Sequence, residues 1–232
     1  MFDILAFDAD DTLWHNEMLF VMTEEKFRAL LEPYLTKEWT GEELYATEIR
    51  NLDYFGYGIK GFTLSMIETA IELTNARIPA HEVQSIIDFA KAMVKSPVNL
   101  LDHVTEVLPS LAQSHTLMLI TKGDLFDQET KIARSGLAEH FTHIEIVAEK
   151  TADTYRRLLT KHQIEPQRFL MIGNSLRSDI LPVVEVGGHA VHVPYQTTWA
   201  HETVSDQIAQ QHTYAELVHL GLLPEFIAKF RS

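Results

Sequence analysis

Asp8 and Asp10, with Thr12 two residues further on, are the first residues in this sequence whose types and spacing could do chemistry. They follow a short apolar run, Ile4-Leu5-Ala6-Phe7, long enough for a buried strand and too short for a membrane span. Ionised carboxylates are seldom crowded or buried without a cation or a reaction that needs them. Other polar groups fall where later apolar runs end. Thr121 follows residues 116–120, Lys150 comes shortly after 144–147, and Asn174, Ser175 and Asp179 follow 169–172. Asp8 and Asp179, with a main-chain carbonyl near Asp10, suit a hard cation that prefers oxygen and keeps waters; Mg²⁺ fits best. Lys150 could offset the charge of carboxylate and substrate. Thr121 offers a hydroxyl, and the amides that follow it, at Lys122 and Gly123, can hold phosphate oxygens. That chemistry suits a dianionic phosphate ester. A carboxylate attacking phosphorus gives an aspartyl-phosphate and splits one hard step into two easier ones.

These residues need a scaffold that brings distant segments to one edge. The apolar runs alternate with helical patterns. Val104, Leu108 and Leu111 suggest a helix before 116–120. Phe126, Ile132 and Ala133 suggest one after it, closed by Gly136. Tyr155, Leu158 and Leu159 mark a helix before 169–172. Val183 and Val184 mark a short one ending at Gly187-Gly188, and 190–193 is a last strand. The tail beyond about Ala200 reads as helical, with Leu217, Leu220 and Phe226 apolar. Alternating strands and helices predict a doubly wound, Rossmann-like parallel α/β sheet, which binds ligands beyond the carboxyl ends of its strands.

Between the first strand and the rest the pattern is helical. Apolar stripes run through Phe20, Phe27, Leu31 and Tyr34; Leu44, Tyr45, Ile49 and Leu52; Phe62, Met66, Ala70 and Leu73; and Val83, Ile87, Ala90 and Val94. Thr40-Gly41-Glu42-Glu43 reads as a capping box. The stretch Phe55–Gly61, with three glycines, reads as a loop between helices, in which Lys60 or Tyr57 could face a ligand. The expected organisation is an α/β core of residues 1–14 and 96–232, with a helical bundle of residues 15–95 inserted into it. Trp14, His15 and Asn16 form the linker into the bundle.

Composition narrows the function. Acidic residues outnumber basic ones 33 to 19, for a formal charge of −14, which repels nucleic-acid phosphates and anionic lipid. With no cysteine, disulfides and thiolate chemistry are excluded. No run reaches the length of a membrane span, and no signal peptide is apparent. The expectation is a cytoplasmic monomer or homodimer acting on a small phosphorylated metabolite.

The four polar groups, in this order, resemble the motifs of the haloacid dehalogenase (HAD) superfamily of hydrolases. Asp8-Ala9-Asp10-Asp11-Thr12 resembles its first motif, Thr121 its second, Lys150 its third, and Gly173-Asn174-Ser175-Leu176-Arg177-Ser178-Asp179 its acidic fourth. The inserted bundle resembles the family's helical cap. The resemblance implies Asp8 as nucleophile and Asp10 as acid and then base. It implies Thr121 as a phosphoryl ligand, Lys150 as charge stabiliser, and Mg²⁺ held by Asp8, Asp10, Asn174 and Asp179. Two positions depart from the family pattern: Asn174 where an acid is common, and Thr151 where proline is frequent. A phosphatase is favoured, because the family's dehalogenases lack the second acid of the first motif and Asp10 is present. A 2-haloacid dehalogenase, a phosphosugar mutase sharing the same residues, and a non-catalytic phosphate-binding protein are the alternatives.

Overall fold

Among the described residues, three strands are short, apolar and covered on both faces, so period-2 alternation assigns their side chains to two cores. The computed structural model describes residues 2–35, 39 and 41–230. In β1 (Ile4–Phe7), Leu5 and Phe7 enter one apolar cluster and Ile4 and Ala6 the other. In β2 (Thr116–Lys122), Leu117 and Leu119 separate from Met118 and Ile120 in the same way. In β4 (Phe169–Gly173), Leu170 and Ile172 separate from Phe169 and Met171. Among the described residues, six strands form one sheet in the order β3-β2-β1-β4-β5-β6, and every pairing is parallel. The remaining strands are β3 (His143–Val147), β5 (His189–His192) and β6 (Ala215–Glu216). This is the expected doubly wound α/β fold.

The chain divides into two compact units. The first comprises Met1–Glu17, Val98–Lys122 and Thr130–Ser232. It holds the sheet. One face is covered by α5 (Val104–Ala112) and by Leu223 and Ile227 of a late helix; the other is covered by α7 (Ala152–Lys161) and α8 (Leu181–Glu185). The tail is not simply helical. It adds β6, whose Val191↔Ala215 and His192↔Glu216 pairings extend the sheet. Two residues carry no periodicity to read, so sequence pattern missed this strand.

The second unit is Met18–Pro97 with Gly123–Glu129. It contains most of α1 (Glu17–Leu31), then α2 (Glu42–Phe55), α3 (Ile59–Leu73) and α4 (Ala80–Lys95). Phe27, Leu31, Phe62, Met66 and Ala70 form its core with Leu44, Ile86 and Met93. Two helices turn a different face inward than their most apolar stripe. α2 buries Leu44, Thr47 and Asn51 and exposes Tyr45; α4 buries Ile86 and Met93 and leaves Val94 exposed. The α2 face is satisfied by hydrogen bonds: the Asn51 amide donates to Ser65 Oγ at 3.1 Å and to Glu68 Oε2 at 2.8 Å. Thr40 of the expected capping box lies outside the described residues; Gly41 precedes α2 at φ 87°. The glycine loop is shorter than expected, because α3 already begins at Ile59 and carries Lys60 and Gly61 in its first turn.

Candidate active site

β1 ends at Phe7, and its register sets Phe7 beside Leu119 on one side and Ile172 on the other. Asp8 therefore emerges between the ends of β2 and β4, its amide donating to the Ile172 carbonyl at 2.9 Å. The chain then turns sharply. Leu13 N–H donates to the Ala9 carbonyl at 2.8 Å, and Asp11 sits at φ 60°. An aspartate tolerates this left-handed geometry when its carboxylate finds local donors. Asp11 takes the amides of Asn16 at 2.8 Å and Glu17 at 3.0 Å, at the start of α1. Burial pushes its carboxyl up, to about 7, against those two amides.

Three charged side chains meet in the interior. The Lys150 ammonium, 3% exposed, is bonded to Asp8 Oδ1 and, at 2.7 Å, to Asp179 Oδ1. Burial opposes the lysine's charge, but Asp179 and Asp8 outweigh it and hold the ammonium protonated beyond the ordinary lysine range. Two carboxylates against one ammonium leave one negative charge over. Burial accordingly pushes Asp8 up, to about 7; Lys150 pulls it back, and Asp179 pushes it further.

Local structure explains how each partner arrives. Thr151, the departure after Lys150, caps α7 by accepting Thr154 N–H at 3.2 Å, a task proline could not perform. After β4 the chain makes a single wide π turn, Leu176–Ile180, capped by Ser175, whose Oγ accepts Ser178 N–H at 3.0 Å. Such turns cluster at functional sites. Here the turn buries Asp179, whose Oδ2 accepts Ser175 N–H at 3.0 Å. Gly173 is required by this packing: a Cβ there would overlap the Asp179 carboxylate.

Thr121, 1% exposed at the end of β2, has a buried hydroxyl with no hydrogen-bond partner among the described residues. Asn174 faces the opening loop. One arm of its amide lies 3.2 Å from Asp8 Oδ2, 3.3 Å from the Asp10 carbonyl and 3.1 Å from Thr12 Oγ. Which arm is nitrogen is assigned from partners. As nitrogen it donates to the Asp8 and Asp10 oxygens. As oxygen it lies 3.2 Å from Asp8 Oδ2 and 3.3 Å from the Asp10 carbonyl oxygen, near the ~3 Å between neighbouring ligands of an octahedral Mg²⁺. Among the described residues no three His, Asp or Glu side chains are arranged as a ready metal site. The donors on offer are two carboxylates, a main-chain carbonyl and an amide, hard oxygen ligands of the kind Mg²⁺ accepts.

Lys122 and Lys60 have ion-pair partners of their own. Lys122, read as a substrate contact, is paired with Glu202 and also donates to Ser178 Oγ at 3.1 Å. Glu202 accepts from Ser175 Oγ at 2.5 Å and Ser178 Oγ at 2.6 Å. Burial pushes its carboxyl up, but Lys122 and the two hydroxyls hold it down to about 2. Lys60 and Gly123 belong to the second unit. There Lys60 pairs with Asp124 at 3.0 Å and lies over the Phe126 ring. His192 is a brace, its ring between Glu216 of β6 and the Asn174 carbonyl, each at 3.0 Å.

Two residues close to this cluster escaped sequence reasoning. Glu202 is one. Lys131 is the other: it bonds both Asp10 oxygens at 2.7 Å. Lys131 stands inside a helix whose pattern gives it no distinction from a surface lysine.

The chain is similar to known proteins in sequence and fold. The model of the haloacid dehalogenase-like hydrolases matches residues 2–187. A phosphoglycolate phosphatase from Vibrio vulnificus is 27% identical over 194 residues, covering 79% of this chain and 80% of its own length. The crystal structure of a haloacid dehalogenase-like family hydrolase from Xanthomonas campestris is 41% identical, with a TM-score of 0.87 over 98% of this chain and 91% of that one. A 2-haloacid dehalogenase from Pseudomonas syringae shares the fold at 23% identity and a TM-score of 0.66, over 99% of this chain and all of its own. With most of its length matched by the family model, the chain belongs to the haloacid dehalogenase-like hydrolases and is an enzyme of that family.

Proposed function

We propose that the chain is a Mg²⁺-dependent phosphomonoester hydrolase acting on a small phosphorylated metabolite through an aspartyl-phosphate. The observation that carries this reading is the Thr121 hydroxyl. It is buried and unpartnered among the described residues, beside strand ends that also present Asp8 and the Lys150 ammonium. A buried hydroxyl without a partner costs about 1–3 kcal/mol, a cost that a transferring phosphoryl oxygen would remove. The similarity to a phosphoglycolate phosphatase supports a phosphate monoester as substrate class.

In this reading an Asp8 oxygen attacks phosphorus while the bond from phosphorus to the leaving oxygen breaks. Asp10 gives that oxygen its proton. Asp10 then takes a proton from water, whose oxygen attacks phosphorus and releases Asp8. Lys150 balances the charge on Asp8 and on the phosphoryl group, and Thr121 holds one of its oxygens. Asp8, the Asp10 carbonyl, Asn174 and Asp179 would hold Mg²⁺, which when bound supplies electrostatic stabilisation of the phosphoryl oxygens. Asp10 favours ester cleavage over dehalogenation, since a leaving halide needs no proton.

The test is a panel of phosphomonoesters and small haloacids, assayed with Mg²⁺ and after EDTA. Phosphatase activity should disappear with EDTA, return with Mg²⁺, and fall by at least about 10³-fold in Asp8→Asn. Haloacid turnover in metal-free buffer, or an active Asp8→Asn, would overturn the proposal.

A further inference from the structure

Asp10 is held from two directions. From its own loop, Trp14 Nε1–H donates to Asp10 Oδ1 at 2.7 Å. From α6 (Leu125–Ser135), 121 residues away in sequence, Lys131 Nζ donates to both Asp10 oxygens at 2.7 Å and to Asn16 Oδ1 at 3.2 Å. Neither anchor is a loose surface group. The Lys131 side chain is 15% exposed, and Trp14 is 1% exposed within the sheet's core cluster. The Trp14 backbone is itself fixed by bridges to Asp10 and to Leu100.

We infer that Lys131, with Trp14, is a positioning residue that holds the Asp10 carboxyl for its two proton transfers. The inference rests on the phosphatase reading and extends it to a residue outside the four motifs. Its physical basis is twofold. The pair is partly withdrawn from solvent, its side chains 15% and 20% exposed, and an ion pair so placed is weak evidence for stability, which leaves it free for another role. A carboxyl that delivers a proton to one oxygen and takes one from another must be held in a defined direction, and two donors from separate elements fix that direction. When Asp10 gives its proton to the leaving oxygen it becomes an anion, and the Lys131 ammonium already stands against both of its oxygens.

The experiment compares 4-nitrophenyl phosphate, whose leaving group departs readily as an anion, with phenyl phosphate, whose leaving oxygen needs a proton. Wild type, Lys131→Met, Lys131→Gln and Lys131→Arg are assayed with saturating Mg²⁺, and rates are normalised to folded protein from thermal melts. For Lys131→Met, kcat/KM should fall at least about tenfold on phenyl phosphate and less than about threefold on 4-nitrophenyl phosphate. Lys131→Gln should show the same contrast should the Met variant not fold. Lys131→Arg should recover most of the loss. A burst of 4-nitrophenolate in the Met variant would support the inference further, as the second step loses its oriented base. Equal losses on both esters, or none on either, would overturn it while leaving the phosphatase reading in place. A wild type inert toward these two esters and every phosphomonoester of the panel would overturn that reading, and this inference with it.

Discussion

A buried Thr121 hydroxyl with no hydrogen-bond partner among the described residues is a folding cost that the proposed phosphoryl contact would offset. Replacing Thr121 by the isosteric valine removes an unmet polar group. We predict that Thr121→Val leaves stability unchanged or raises it by up to about 1 kcal/mol, while lowering kcat/KM by about 10- to 100-fold. Thermal melts beside steady-state kinetics measure both; a variant that is less stable yet fully active would sink the assignment. At this scale the sequence was informative where chemistry restricts residue type. Asp8, Thr121, Lys150 and Asp179 stood out because carboxylates, a hydroxyl and an amine fell at the ends of apolar runs, and the structure brings Asp8, Lys150 and Asp179 into direct contact. Lys131 and Glu202 did not stand out. A lysine in a helix and a glutamate in an aperiodic tail carry no local sign of burial, and their partners, Asp10 and Lys122, are 121 and 80 residues away.

Elements, rather than single residues, decide how the fourth motif is held. The wide turn Leu176–Ile180 sets Asp179 inward, and Glu202, from beyond the family-matched residues 2–187, ties Ser175, Ser178 and Lys122 together over it. The folded Glu202 carboxyl lies near 2, against an ordinary value of 4.5. A depressed folded value stabilises the native state fully above about pH 4.5, and that contribution is lost as pH falls toward 2. Glu202→Gln should therefore cost about 1–3 kcal/mol at pH 7, with the gap to wild type closing between pH 4.5 and 2. Denaturant melts across that range check it; a constant gap would mean that the carboxylate charge is not what matters. Element type was legible wherever length and period were strong, as in β1, β2, β4 and the four helices of the second unit. Which face a helix buries was less so. In α2 the hydrogen-bonded Asn51 and Thr47 displaced Tyr45 from the interior, because a satisfied polar side chain can replace an apolar one at a packed interface.

The whole molecule carries a formal charge of −14, and no helix among the described residues is long and apolar enough to cross a membrane. On the proposed function, a dianionic ester must approach against that field. The site does not reverse it strongly. Lys150 is shared by Asp8 and Asp179, and Lys131 is taken by Asp10, so three carboxylates meet two ammonium groups. Exposed charges distant from the site act over a Debye length of ~30 Å at 0.01 M salt and ~8 Å at 0.15 M. Screening should thus weaken the repulsion of the surface while leaving the buried pairs nearly untouched. Raising ionic strength from about 0.01 to 0.15 M at saturating Mg²⁺ should raise kcat/KM for a dianionic phosphomonoester by about two- to tenfold, with kcat unchanged. A neutral inert salt such as KCl, titrated against initial rates, makes the measurement. A fall in kcat/KM with salt would show that the substrate is drawn in by a local positive field strong enough to overcome the surface, and would move the search for specificity to the lysines nearest the site.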